Sequence, residues 1–362
     1  MLLTILAPRA DQSPNMLGRD ATRSCKDMNP GINMWSERYH QTTQYIILVY
    51  FVLLACVLLV SPVSASTAVI SNERSGDLVF MNEAGETIDV IGLCSRPRGM
   101  AKNKSANILY IACSDDGEVI EFDLNTKQPL RVFADLEGAM SLAIHDESNR
   151  LIISNEGLSK ATILNVVTGE VIATLPTGHE PDGVILTNDG SKIFIASENA
   201  GIVHVFDGAT YAPITRLITN LRPRRLAVRD SELWVSSEMG SRVEIFDTTS
   251  LAKIDEIVFA PRGFRSEQLT PVDILFDHAG NTAFVALGSA NHVVIVDAIS
   301  REIEKYILVG RRPWGLGLTP DGNRLFVLNG LSDDVTIIDL AKQRPIKTSR
   351  TGLVPHSVEI LH

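Results

Sequence analysis

Residues 193–197 read Ile-Phe-Ile-Ala-Ser and residues 203–207 read Val-His-Val-Phe-Asp, two short apolar runs joined by Glu-Asn-Ala-Gly-Ile. Runs of four to six residues, rich in β-branched and aromatic side chains, alternating in polarity and bounded by turn residues, make strands. The pair recurs along the chain. The first run returns as LYIAC (109–113), LIISN (151–155), LWVSS (233–237), AFVAL (283–287) and LFVLN (325–329). The second closes each time on Asp or Asn: LVFMN at Asn82, VIEFD at Asp123, TILN at Asn165, VEIFD at Asp247, VIVD at Asp297 and TIID at Asp339. Prolines punctuate the units at Pro97, Pro181, Pro223, Pro271, Pro313 and Pro355, at intervals of 84, 42, 48, 42 and 42 residues. Ala139 fills the place missing from the first interval, and the interval of 48 holds a six-residue insertion.

Hairpin turn chemistry at Asp116-Gly117, Asp189-Gly190 and Asp321-Gly322 fits the same frame. About four short strands in 42 residues is the size of a propeller blade. The repeat begins with three strands (67–73, 77–82 and 86–93) and ends with one (355–361). The expected fold is therefore all-β: a seven-bladed β-propeller of four-stranded blades over residues 66–362. The C-terminal strand joins the three N-terminal strands, closing the ring and leaving no open edge.

Composition agrees with a globular chain. Of 362 residues, 45% are hydrophobic and 21% charged, and the formal net charge is −10. That balance argues against a sequence-independent nucleic-acid binder, which needs a basic face. Four cysteines are too few for a disulfide scaffold.

Residues 1–65 stand outside the repeat as an N-terminal extension. Residues 45–60, YIILVYFVLLACVLLV, are apolar and uncharged, and SPVSA follows, with Val63 and Ala65 in the −3 and −1 places of a signal-peptidase site. The expectation is a secretory signal cleaved after Ala65 and a periplasmic protein. A lipobox-like LLAC ending at Cys56 and an uncleaved anchor are the alternatives, each tying the protein to a membrane. Met34 is a second candidate start.

Strands such as LYIAC and IFIAS, followed by V-x-[IFV]-[FIV]-D and Pro-x-Gly, resemble the YVTN family of β-propeller repeats over residues 67–362. Segments RPRGM (96–100), APRGF (260–264) and TPVDI (270–274) are similar to the PQQ-dependent catabolism-associated β-propeller family. That resemblance implies a non-enzymatic periplasmic accessory or binding protein. Its partner would be a small ligand or a protein of a PQQ-linked alcohol-oxidation and transport system.

Propellers usually bind ligands at the face where innermost strands begin. The residue after each proline column should ring the channel mouth there: Arg98, Met140, Asp182, Arg224, Val272, Trp314 and His356. The next position is small in most units (Gly99, Ser141, Gly183, Gly315, Ser357), where strands crowd the axis, and Arg225 and Asp273 break that rule. Second strands end on Glu73, Glu156, Glu198 and Glu238, with Asp115 near the equivalent place and Gly288 and Gly330 in the last two units. Arg96, Arg222, Arg311 and Arg312 belong to the same face. These charges suit either loop-fixing ion pairs or a polar pocket for an anionic or polyhydroxyl ligand. The insertion, with Arg262, Phe264 and Arg265, is either a tolerated loop or a partner contact. Cys94 and Cys113 fall near one rim, where a disulfide is one option and free thiols the other.

No haem-attachment motif, adjacent cysteine pair, PQQ-docking repeat or serine nucleophile elbow is present, so no cofactor is expected. Of the histidines expected in the exported part, only His179 and His356 map to the candidate face, so a propeller copper cluster or a three-His zinc site is not supported, and no particular metal is assigned. Two alternatives stand beside the non-enzymatic reading. One is a propeller hydrolase such as a lactonase, with Glu156 or Glu198 as base and an arginine polarising the carbonyl. The other is a hard-cation-binding protein using the rim carboxylates.

Overall fold

The computed structural model describes residues 67–103 and 105–361. The apolar stretch 45–60, the cleavage place at Ala65 and Cys56 lie outside the described residues. Seven antiparallel four-stranded sheets stand around a common axis. Their innermost strands are Pro97–Asn103, Ala139–His145, Pro181–Leu186, Pro223–Arg229, Pro271–Phe276, Pro313–Leu318 and Pro355–Leu361. Each touches the next around the ring. The last pairs with Thr67–Asn72, and this N-terminal sheet is completed by Asp77–Asn82 and Thr87–Gly92. The first and last strands of the propeller thus share one sheet, as the repeat count requires.

Hydrophobic clusters fill the wedges between neighbouring blades. One packs Ala227, Trp234 and Ile245 of the fifth blade against Ile274, Val285 and Val294 of the sixth. Trp234 is fully buried, meets Phe276 edge-on at 5.0 Å between ring centroids, and donates its indole N–H to Glu232 at 2.9 Å. The Asp/Asn column caps the following turns, since carboxylate or amide oxygens of Asn82, Asp207, Asp247 and Asp297 accept backbone N–H groups two to four residues on.

Three local devices shape the mouth of the channel. First, the residue before the innermost strand is left-handed in six blades: Arg96, Gly138, Glu180, Arg222, Arg312 and Val354 all have φ between 52° and 67°. Thr270, after the insertion, departs from that pattern. Second, the carbonyl of this residue accepts the N–H of the residue that ends the second strand, in all seven blades. The donors are Glu73, Ser114, Glu156, Glu198, Glu238, Gly288 and Gly330, at 2.7–3.1 Å. The equivalent place in the second blade is therefore Ser114, one residue before the expected Asp115. Third, the ladder between first and second strands shifts register just after the proline or Ala139, for example between Pro181 and Val184. A bulge there frees the two following residues from the pleat and turns them toward the axis.

The insertion is pinned at both ends by buried Phe259 and Leu269, and Phe264 packs edge-on against His292. Arg262 and Arg265 are exposed. Cys94 and Cys113 form a disulfide with Cα atoms 5.9 Å apart, tying the approach to the second blade to the end of its second strand.

Trp234→Ala is expected to destabilise the protein by about 3–5 kcal/mol through the cavity it leaves, measured by chemical denaturation. Reducing the disulfide releases a closed loop with a sequence separation of 19 and is expected to cost about 3 kcal/mol, read as a lower unfolding midpoint with reductant than without.

Candidate functional site

The ring of residues following the proline column converges on the axis, and it is buried rather than solvated. Arg98, Asp182, Arg224 and His356 are each 7% exposed or less. The carboxylates that end the second strands hang over them. Arg98 binds Glu156 at 2.6 Å and Glu73 at 3.4 Å, and also reaches the sulfur of Met140. Arg96 binds Glu73 at 2.8 Å and the more exposed Asp115 at 3.3 Å. Across the ring, Arg224 meets Asp182 at 2.9 Å, Glu238 at 3.1 Å and Glu198 at 3.3 Å. Arg222 binds Glu198 at 2.6 Å and Glu238 at 3.3 Å, and Arg312 binds Glu238 at 2.9 Å. The guanidinium carbons of Arg224 and Arg312 lie 4.6 and 5.1 Å from the Trp314 ring centroid, and Trp314 neighbours His356.

Sequence analysis expected these residues on one face, and the structure gathers them at the mouth in two ion-pair clusters: Arg96, Arg98 and Glu156 in one, and Asp182, Glu198, Arg224 and Glu238, with Trp314 and His356 beside them, in the other. Asp273 and Arg225 sit deeper. Arg225 contacts Ser141 at 2.6 Å and Asp182 at 3.3 Å, and Asp273 accepts the backbone N–H groups of Leu316 and Ile274 at 2.9 and 3.0 Å. Ser141 carried no signal of this role beyond being small. Among the described residues, Arg262, Phe264 and Arg265 make no ion pair or hydrogen bond with these clusters. Arg311 is exposed, and its backbone N–H binds Ser332.

Burial and neighbouring charge divide the carboxyls. Burial pushes Glu198 up to about 7; Arg224 opposes that shift, and the negative charge of Asp182 adds to it. Burial also works against ionising Asp182, but Arg225 and Arg224 outweigh it and hold this carboxyl below its usual range. Burial raises Asp273 to about 6. His356 is driven well below the usual imidazole value by burial and then by Arg225 and Arg98, so it is neutral. Two carboxyls bridged by Arg224, one held ionised and one poised near neutrality, form an acid–base pair. The guanidiniums around Glu198 are placed to stabilise negative charge developing on an oxygen. Among the described residues no group of three or more His, Cys, Asp and Glu is arranged to hold a metal ion.

The architecture is shared with solved enzymes. The periplasmic gluconolactonase of Pseudomonas aeruginosa is similar at TM-score 0.71 and 16% identity, over 83% of this chain and 99% of that one. A Bacteroides fragilis protein assigned as a 6-phosphogluconolactonase is similar at TM-score 0.67 and 15% identity, over 83% and 99% respectively. At these identities the likeness is one of fold. Among curated proteins, the conjugal transfer protein TrbB of Rhizobium radiobacter is 26% identical over 125 residues, 32% of this chain, and the chain spans 38% of that protein's length.

These findings correct the expectation of a non-enzymatic accessory protein of PQQ-dependent alcohol catabolism. The propellers similar to this chain include a gluconolactonase, which is an enzyme, and none of these comparisons shows the PQQ-associated family. The matching profile, which spans residues 98–325 and so well over half of the sequence, is that of the choice-of-anchor I domain, and the chain belongs to that family.

Proposed function

We propose that this propeller is a hydrolase that opens the ring of a sugar lactone at its channel mouth. The observation that carries the reading is Glu198: a buried carboxyl poised near pH 7, paired with Arg222 and with Arg224, which also holds Asp182. Its ionised form takes a proton from water, and the water oxygen forms a bond to the lactone carbonyl carbon. The carbonyl oxygen becomes an oxyanion opposite Arg222 and Arg224. Collapse of that intermediate breaks the ring C–O bond, and Glu198 returns its proton to the departing alkoxide. The product is the open hydroxy acid, and no oxidant or cofactor enters the balance. Asp182 acts on Glu198 rather than on substrate: its fixed negative charge keeps the base from becoming too weak a proton acceptor. The names of the gluconolactonase and 6-phosphogluconolactonase neighbours support the choice of a lactone among carbonyl substrates. Export to the periplasm belongs to the same proposal. The apolar stretch 45–60 supports it, as does a disulfide, which persists in oxidising compartments.

Glu198→Gln keeps the shape of the side chain and removes the base. The expected loss in kcat on D-glucono-1,5-lactone, above the spontaneous rate, is about 100-fold or more, with unchanged unfolding behaviour. Full activity in this variant excludes Glu198 as the base. Because the ionised form is the active one, kcat/KM should rise with pH through about 7 and then level off. Asp182→Asn removes the neighbouring negative charge that raises Glu198, so the ascending limb should move to lower pH. A limb that stays in place would show that Asp182 does not set the proton affinity of the base.

A further inference from the structure

Beneath the charged ring the channel widens into a small chamber of about 210 Å³, whose polar walls include Ser141, Arg225, Asp273, His356 and Ser357. The wall is built from the second residue after the proline column. Packing forces that residue to be small in most blades. A Cβ added at Gly99 would stand 2.4 Å from the Met140 carbonyl oxygen, and one at Gly183 would stand 2.2 Å from that of Arg224. Arg225 and Asp273 occupy this crowded layer as its two large, charged members. Each buries an ionisable group that a glycine or serine would spare the fold, at a cost in desolvation.

A second observation points to an occupant. His356 is 2% exposed, lines the chamber, and has no hydrogen-bond partner at Nε2; its Nδ1 meets the Ser357 hydroxyl at 3.0 Å. Buried polar atoms are nearly always satisfied, so Nε2 calls for a partner in the adjoining cavity, a water or a ligand hydroxyl. The volume corresponds to several waters at about 30 Å³ each and lies below the roughly 300 Å³ at which drug-sized pockets begin. One sugar ring suits that space.

Charge narrows the ligand further. The ionisable side chains lining the chamber are Arg225, Asp273, His356 and Glu359, one permanent cation against two carboxyls and an imidazole. Arg225 is itself shared with Asp182 at 3.3 Å. At the mouth above, Arg96, Arg98, Arg222, Arg224 and Arg312 each face a carboxylate already. A phosphate dianion entering the chamber would find one compensated guanidinium and two acids. An uncharged polyol finds donors and acceptors together.

We propose that this chamber is a binding subsite for an unphosphorylated, monosaccharide-sized polyhydroxyl group, held by Ser141, Arg225, Asp273 and His356, and that it rejects the phosphorylated counterpart. As the subsite of the lactonase reading it rests on that reading for its part in catalysis, while its ligand preference can be measured without turnover. Asp182 pairs with Arg225 of the chamber wall at 3.3 Å and with Arg224, which also binds Glu198, and so joins the subsite to the reacting centre.

The test is calorimetric titration and thermal shift of the exported chain with D-glucose, D-glucose 6-phosphate and inorganic phosphate, on the wild type, Asp273→Asn and Ser141→Ala. Asp273→Asn keeps an acceptor for the Leu316 N–H, and Ser141→Ala removes only the hydroxyl that Arg225 reaches, so at least one folded variant is expected. The proposal expects saturable binding of glucose, at least 10-fold weaker binding of glucose 6-phosphate, no response to phosphate, and weaker glucose binding in each folded variant. It is overturned if glucose does not bind, if the phosphorylated sugar binds as well or better, or if binding is indifferent to both substitutions. Hydrolysis of D-glucono-1,5-lactone and its 6-phosphate, run in parallel, separates the two claims. Turnover of neither refutes the lactonase reading while leaving the binding result standing, and equal turnover of both refutes the discrimination.

Discussion

The pairing of Pro355–Leu361 with Thr67–Asn72 is the contact on which the rest of the molecule depends. A propeller blade is not a stable object alone, because each wedge of core lies between two blades rather than inside one. Six and three-quarter blades would leave an open edge and an incomplete ring of innermost strands. The antiparallel register from Thr67 with Leu361 to Ser71 with Ser357 supplies the missing strand and leaves every blade with two neighbours. The channel, its mouth and its chamber exist only because the ring is complete.

Given that ring, the site is an accumulation of charge where burial works against it. Arg224, Asp182, Glu198 and Glu238 are all nearly excluded from solvent. Ion pairs so deep do not repay their desolvation in stability, and the fold has cheaper choices, since Gly288 and Gly330 fill the same structural place as the glutamates. The asymmetry is chemical: acidic ends in four blades, glycine in two, serine in one, all held by the same N–H to carbonyl bond. A repeated backbone thus carries a side-chain pattern that does not repeat.

The fold was legible because it is repetitive. A period of 42 residues broken by one insertion, a proline at the same place in six of seven units and an Asp or Asn closing each third strand are statements that the chain repeats around the ring, and each has a local physical cause. The face of the site was legible for the same reason, since one register places Arg98, Asp182, Arg224 and His356 together. What the sequence did not reveal is pairing across the axis. Arg225 meets Ser141, 84 positions away, and Arg312 reaches Glu238; neither contact leaves a trace in local pattern. Burial was hidden as well. Charged residues at a predicted rim read as solvated, and only the bulge after each proline turns them inward. The expectation of a non-enzymatic accessory protein rested on a resemblance in layout, and layout carries no information about the chemistry of individual side chains.

The closing strand also sets an order in time. Synthesis delivers the chain from its N-terminus, and domains ordinarily fold as they emerge. Here the partner of residues 67–72 arrives last, so the first sheet waits with one edge unpaired until residues 355–361 are present. Until that moment the arginines and carboxylates of the mouth remain hydrated and the channel has no inside. The ionisable groups of the mouth are therefore dehydrated in the final act of folding, and a chain lacking its last strand would hold nearly all of the site's residues without ever having the site.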